Sequence, residues 1–109
     1  MTAVITGSSK GLGRHIATAL GKAGYNIIIH YNKSKKDAEL LEVKLSKITN
    51  CMIVKGDISK YEDASRIIKQ SVKKFGKIDV LINNGGMHKD SIVSKMNTKT
   101  WNNVIAVNL

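Results

Sequence analysis

Short apolar runs alternate with helix-length segments through most of this chain, and that alternation limits its fold more than any other feature. Thr2–Ile5, Asn26–His30, Cys51–Val54 and Asp79–Ile82 read as strands. The second holds Ile27-Ile28-Ile29, continuous and β-branched, as in a strand buried on both faces of a parallel sheet. Between them lie segments with apolar residues three or four apart. Leu12, Ile16, Leu20 and Ala23 mark a helix over Leu12–Ala23, with Gly24 at its C′ position. Ala38, Leu41, Leu45 and Ile48 mark a second helix, its start capped by Ser34 with Asp37. Ala64, Ile67, Ile68, Val72 and Phe75 mark a third, opened by a capping box of Ser59 and Glu62 and stopped at Gly76. A polar connection runs from Met87 to Met96. A last helix is expected from about Asn97 or Thr98, carrying Trp101, Val104, Ile105 and Leu109.

Strands alternating with helices require right-handed crossovers and a parallel sheet. The expected class is α/β, a Rossmann-type doubly wound sheet in its first half, with strand order 3-2-1-4. All 109 residues then form one part of a single domain. In such a sheet ligands bind beyond the carboxyl ends of the strands, near the switch point between strands one and four.

Those ends are where the informative residues fall. Thr6-Gly7-Ser8-Ser9-Lys10-Gly11-Leu12-Gly13 joins strand one to helix one. Glycines allow a tight turn and a close approach of backbone to phosphate. The opening helical turn offers unpaired N–H groups and the positive end of its dipole. The stretch therefore reads as a pyrophosphate cradle, though its spacing is neither G-x-G-x-x-G nor the P-loop. A glycine-rich turn with no ligand is the plainer alternative. Tyr31-Asn32-Lys33-Ser34 follows strand two, Asp57-Ile58 follows strand three, and Asn83-Asn84-Gly85-Gly86 follows strand four.

Composition narrows the function classes. A formal net charge of +10 can signal nucleic acid, anionic substrates or a lysine-rich surface. The lysines are scattered over presumed solvent faces, and arginine, the better reader of bases, occurs only at Arg14 and Arg66. A nucleic-acid role is disfavoured. The lone Cys51 fits a reducing compartment and a buried strand position. His15, His30 and His88 make no metal-binding spacing with it. No apolar run approaches membrane-span length, and the chain enters a strand too soon for a signal peptide, so a cytoplasmic location is expected.

With the strand-end signals assembled, the sequence resembles the N-terminal half of a short-chain dehydrogenase/reductase. Thr6–Gly13 matches the family's T-G-x-x-x-G-x-G turn. Asp57 matches the acid after strand three, Asn83-Asn84-Gly85-Gly86 matches N-N-A-G with glycine in place of alanine, and Asn108 matches the asparagine of the catalytic tetrad. Within the family, the run from Met87 through Trp101 is most similar to 3-oxoacyl-[acyl-carrier-protein] reductases.

The resemblance implies a nicotinamide dinucleotide held by Gly7, Ser8, Ser9, Lys10, Gly11, Leu12, Gly13, Tyr31, Asn32, Lys33, Ser34, Asp57, Ile58, Asn84, Gly85 and Gly86. Asp57 would contact the adenine; a plain role as a loop carboxylate beside the next helix stays open. Asn84, Gly85 and Gly86 would lie close to a ribose. Asn83 would brace the sheet. Asn108, seven residues after Trp101, is expected on the apolar face of the last helix, where its amide needs a partner. The family gives it a water and a lysine in a proton relay. No acid ends strand two, where one would bind the 2′-OH of NAD, whereas Lys10 and Lys33 with Ser9, Asn32 and Ser34 suit a 2′-phosphate. The expected cofactor is NADP(H) ahead of NAD(H); an ordinary solvated charge run at Lys33, Lys35 and Lys36 is the alternative.

The family's proton-donating tyrosine, the lysine four residues after it and the carbonyl-polarising serine have no match. Tyr25, Tyr31 and Tyr61 all precede the last strand; Tyr31 has Lys35 four residues on, but that pair follows strand two, among the cofactor candidates. The expectation is a partial chain ending in mid-helix: the cofactor half of an oxidoreductase, a homo-oligomer at full length, acting on a carbonyl or acyl-thioester substrate. A non-catalytic nucleotide-binding or interaction module is the second reading. With no fifth strand expected, Val80–Ile82 would be an open apolar edge prone to self-association.

Overall fold

The computed structural model describes residues 1–84 and 104–109. In chain order it contains β1 (Thr2–Ile5), α1 (Gly11–Lys22), β2 (Asn26–Tyr31), α2 (Lys35–Leu45), β3 (Cys51–Lys55), α3 (Tyr61–Phe75), β4 (Val80–Asn83) and β5 (Ile105–Asn108). The strands form one sheet in the order β3-β2-β1-β4-β5. Every pairing is parallel, with Val4 opposite Ile28 and Leu81, and Ile28 opposite Met52. The doubly wound order read from the sequence is present and gains a fifth strand.

Alternate side chains of each strand serve opposite faces. Ala3, Ile5, Ile27 and Ile29 pack with Ala17 of α1 and Ala38, Leu41 and Leu45 of α2. Val4, Ile28, Val54 and Leu81 pack with Ala64, Ile67 and Ile68 of α3 on the other face. This two-sided burial is what the unbroken isoleucine run requires.

Helix α1 meets the sheet differently from the expected leucine stripe. Its buried residues are Gly13, Ala17 and Gly21, whereas Leu12 is largely exposed and Ile16 and Leu20 are half-buried. Small residues let the helix sit close: a Cβ at Gly21 would stand 3.0 Å from the Leu45 side chain. Ile48 also lies outside the expected stripe, half-exposed beyond the end of α2.

The helix starts depart from expectation too. Ser34 occupies the N-cap of α2, but its side chain makes no capping bond. Helix α3 begins at Tyr61 with Lys60 at its N-cap, so the Ser59–Glu62 box does not form. The Ser59 hydroxyl donates to Asp57 Oδ1 at 2.7 Å instead, and the Ser59 N–H donates to the same oxygen at 3.0 Å. The carboxylate is the stronger acceptor and draws the serine away from the helix.

The last element is the main correction. Residues 105–108 form a strand, so Asn108 is on no helix. The spacing of Val104, Ile105 and Leu109 fits a helix, but Ile105-Ala106-Val107 also fits a strand, and β4 offers it an unpaired ladder. Ile105 N–H donates to Asp79 O at 2.9 Å and Leu109 N–H to Asn83 O at 3.2 Å. Consequently β4 is covered by β5 of the same chain, and the predicted open edge at Val80–Ile82 is absent. The connection Met87–Met96, the helix start at Asn97 or Thr98, Trp101, and the site candidates Gly85 and Gly86 lie outside the described residues.

Candidate functional site

The turn after β1 is held from three sides. Gly7 has φ 62° and Gly11 φ 55°, backbone that glycine adopts without strain. Gly13 is needed for a different reason: a Cβ there would lie 2.5 Å from both Gly7 O and Asn84 Nδ2. The last of the three glycines is thus what lets α1 begin directly against the turn. Lys10 is the N-cap of α1 and, among the described residues, its side chain makes no capping bond to the first amides of the helix.

Ser8 turns inward. Its hydroxyl accepts the His30 N–H at 2.9 Å, and its own N–H donates to His30 O at 3.1 Å, with no solvent exposure. Its side chain is therefore spent on joining the turn to β2. Ser9 is buried beside it; Leu12 is exposed. Lys10 reaches Asp37 of α2, with Nζ 3.9 Å from Oδ2, both side chains being well exposed.

Strand β2 runs one residue further than expected, so Tyr31 is a buried strand residue, and Gly56 N–H donates to its carbonyl at 3.0 Å. Asn32 and Lys33 are exposed at the strand's end, and Ser34 follows half-buried. After β3, Asp57 N–H donates to Asp63 Oδ2 at 2.7 Å, while the Asp57 carboxylate accepts from Ser59. The bonds from Ser59 lie within the loop ahead of α3. Gly56 itself is confined: a Cβ there would stand 3.0 Å from both Arg66 Nη2 and Ile67 Cδ1.

A cavity of about 430 Å³ lies across these ends, walled by Gly7, Ser9, His30, Tyr31, Asn32, Gly56, Asp57, Ile58 and Ser59. It gathers candidates from the first three strand ends into one place. A larger groove of about 640 Å³ runs along the outer face of α1, between Arg14, His15, Lys22 and Lys44. It touches the turn at Gly11 and runs from there along the helix, whereas parallel sheets carry their ligands beyond the strand ends.

At the fourth strand end, Asn84 N–H donates to Thr6 Oγ1 at 2.9 Å and Asn84 Nδ2 donates to Gly7 O at 3.3 Å. Asn84 thus ties the turn to β4. Asn83 is buried and its amide donates to Asn108 Oδ1 at 3.1 Å, the two residues being opposite each other in the β4–β5 ladder. The bracing role expected of Asn83 is visible. Asn108 finds its partner across the ladder and not on an apolar helix face.

Sequence reasoning passed over His30, Thr6 and Gly56. His30 accepts the Gly7 N–H at Nδ1, at 2.9 Å, and its Nε2 lies 2.8 Å from Gly56 O. Burial pushes its pKa below the ordinary imidazole value, outweighing the hydrogen bond to Gly56 and the nearby Asp57 charge. A signal was available: a polar side chain closing an isoleucine run must find buried partners. Cys51 carries a thiol whose pKa burial raises, with the Glu42 charge adding to it, which suits an inert packing residue.

Comparisons with known proteins agree with this geometry. A family model described as short chain dehydrogenase matches residues 1–109. The chain is 37% identical over 110 aligned positions to 3-oxoacyl-[acyl-carrier-protein] reductase FabG of Staphylococcus epidermidis, covering 99% of this chain and 45% of that protein. FabG of Staphylococcus aureus is 36% identical, with 99% and 44% covered. The chain thus spans a little under half the length of these relatives. Among solved structures, a putative dehydrogenase from Burkholderia cenocepacia with bound NADP superposes with a TM-score of 0.72 at 26% identity, covering 76% of this chain and 33% of that one. A Serratia marcescens short-chain dehydrogenase/reductase mutant gives 0.76 at 26% identity, covering 80% and 36%. Among the described residues no helix is long and apolar enough to cross a membrane. By its matched sequence, its sheet order and the glycine turn at its first crossover, the chain belongs to the short-chain dehydrogenase family.

Proposed function

We propose that this chain is the cofactor-binding half of an NADP(H)-dependent reductase of carbonyl substrates, with 3-oxoacyl thioesters as the first substrate class to test. The cavity at the strand ends carries the reading. It is walled by the Gly7 turn on one side and by Gly56-Asp57-Ile58 on the other, with Tyr31 and Asn32 between. A turn with Gly7 and Gly11 at positive φ, opening into a 12-residue helix, suits a diphosphate facing main-chain amides.

In this reading Ser9, Gly11, Leu12 and Gly13 hold the diphosphate with backbone groups, Gly7 bends the turn with its own N–H held by His30, and Asp57 and Ile58 border the adenine. Ser8 and Asn84 shape the turn that does so, and Asn84 with Gly85 and Gly86 borders a ribose. Lys10, Asn32, Lys33 and Ser34 are the groups proposed to take a 2′-phosphate; no acid ends β2 to oppose it. The bound nucleotide supplies a hydride to, or takes one from, a carbonyl carbon. Proton donation belongs to residues outside these 109, and Asn108 is the one member of the catalytic set proposed on this chain. NADP for the Burkholderia structure and acyl-carrier-protein substrates for the staphylococcal relatives support the choice.

Calorimetric titration of the chain with NADP⁺ and with NAD⁺ tests the proposal. Binding of NADP⁺ well ahead of NAD⁺, with the preference lost in a Lys10→Ala/Lys33→Ala double variant, is the expected result. Equal losses for both nucleotides would remove the 2′-phosphate assignment. Binding of neither would remove the nucleotide reading.

A further inference from the structure

Both ring nitrogens of His30 are engaged by main-chain groups of opposite kind. Gly7 N–H can only donate, so Nδ1 accepts; Gly56 O can only accept, so Nε2 carries the proton. The partners fix one neutral tautomer. The ring is 4% exposed and forms part of the cavity wall, with the diphosphate turn at one nitrogen and the adenine-side loop at the other. Its own N–H and carbonyl are held by Ser8, so the residue has little room to withdraw.

Resting on the nucleotide reading above, we propose that His30 is a positioning residue for the dinucleotide: its neutral imidazole clamps Gly7 to Gly56, and protonation of Nδ1 releases the clamp. A second ring proton would face the Gly7 N–H, donor against donor, and one of them must move. The Gly56 side is confined, because Arg66, Ile67 and Asp63 fill the space where a Cβ on it would stand. Gly7, at positive φ in a turn, is the side that yields. The turn then shifts from the arrangement in which its later amides, at the start of α1, face the diphosphate, so acid weakens nucleotide binding without unfolding the sheet.

The charged groups acting on the ring come from two elements. Asp57, in the loop after β3, and Asp63, on α3, favour the protonated ring, and Arg66 on α3 opposes it. Burial outweighs the carboxylates and keeps the ring neutral at neutral pH. The turn itself contributes the Gly7 N–H and the Ser8 hydroxyl.

The test compares the chain with His30→Gln, whose amide can accept from Gly7 and donate to Gly56 but cannot titrate. NADP⁺ affinity is measured from about pH 8 down to about pH 4.5, from above the ordinary imidazole value of about 6.5 to well below it, because burial lowers that of His30. The 2′-phosphate titrates in the same range for both proteins, so the readout is the ratio of their affinities, repeated with NAD⁺. Near pH 8 the two proteins should agree within about twofold, and by about pH 4.5 wild type should lose about fivefold or more relative to the variant, the loss of one hydrogen bond. Parallel curves overturn the clamp.

Ring nitrogen and Gly7 amide shifts of the nucleotide-free wild type give a second measurement, needed if His30→Gln does not fold. The Nε2–H tautomer and a Gly7 amide that titrates with the ring are expected; a Gly7 amide indifferent to that titration overturns the proposal. If wild type binds no nucleotide near pH 8 the cofactor reading fails, while the Gly7 shifts still report whether the clamp exists.

Discussion

At the carboxyl ends of β1 and β2, side chains join the elements; along β4 and β5, the main chain does most of the joining. Ser8 and His30, both buried, exchange bonds through side chain and backbone, and the His30 ring adds two more, to Gly7 and Gly56. Thr6 and Asn84 extend that set toward β4. On the other side, β5 is exposed along its length and hangs on ladder bonds, with Asn83–Asn108 as its side-chain link. Buried polar pairs fix geometry but tolerate little change, since a lost partner leaves the other desolvated. A ladder tolerates many side chains because its bonds do not depend on them. The region proposed to hold the diphosphate is thus the one built with least tolerance.

The widest gap should appear in apolar truncation. Ile29→Ala removes a fully buried side chain between the sheet and α1 and α2, at an expected cost of about 2–5 kcal/mol. Val107→Ala, at a residue 38% exposed on β5, should cost under about 1 kcal/mol. Urea unfolding of both checks the contrast; similar losses would show that β5 is as integral to the fold as the central strands.

Next come the glycines of the turn. Gly13→Ala places a Cβ against Gly7 O, and about 1–3 kcal/mol of overpacking is expected, together with loss of NADP⁺ binding. At Gly11 the surrounding space is open and only φ opposes a side chain, so Gly11→Ala should cost about 1 kcal/mol. A Gly13→Ala variant as stable as wild type would mean that α1 can slide away from the turn.

Asp79 joins the two regions at the opposite ends of the strands. Its Oδ2 accepts the Thr2 N–H at 2.8 Å and its Oδ1 lies 3.4 Å from Lys77 Nζ. That amide, ahead of Lys77, holds its pKa below the ordinary carboxylate value. A lowered folded value means that its contribution is present above the unfolded pKa of about 3.9 and is lost as pH falls through the folded one. Asp79→Ala should therefore cost about 1 kcal/mol near neutral pH, the partial exposure of the site keeping it modest, and nothing in strong acid. Denaturation curves at both pH values decide; a cost that persists in acid would assign the effect to packing.

What could be read from the sequence divides along the same line. The first four strands and three helices were legible because β-branched runs and helical spacing are local signals, and the turn because glycine restricts what it can be. The last strand was not, since four residues from Ile105 to Asn108 satisfy either period and only the neighbouring β4 ladder chooses. At the site, Asp57 and Asn83 were placed correctly as residues of the strand ends. The partners of Ser8, His30 and Asn84 were not legible, because most are backbone groups and no side-chain motif records them.

The smallest effect concerns an ion pair that spans the helix starts beside the turn. Lys10 Nζ and Asp37 Oδ2 are 3.9 Å apart, with side chains 66% and 43% exposed. Such a pair contributes about 0–1 kcal/mol, so Asp37→Asn should leave stability within about 0.5 kcal/mol of wild type. Its effect on binding has the opposite sign. Lys10, no longer drawn toward α2, becomes available to a 2′-phosphate, and one negative charge leaves the neighbourhood. NADP⁺ affinity should rise about twofold to threefold, an exposed-pair magnitude, with NAD⁺ affinity unchanged and the gain shrinking as salt is added. An equal gain for both nucleotides would place Lys10 near the diphosphate instead, and would move the 2′-phosphate contact to Lys33 alone.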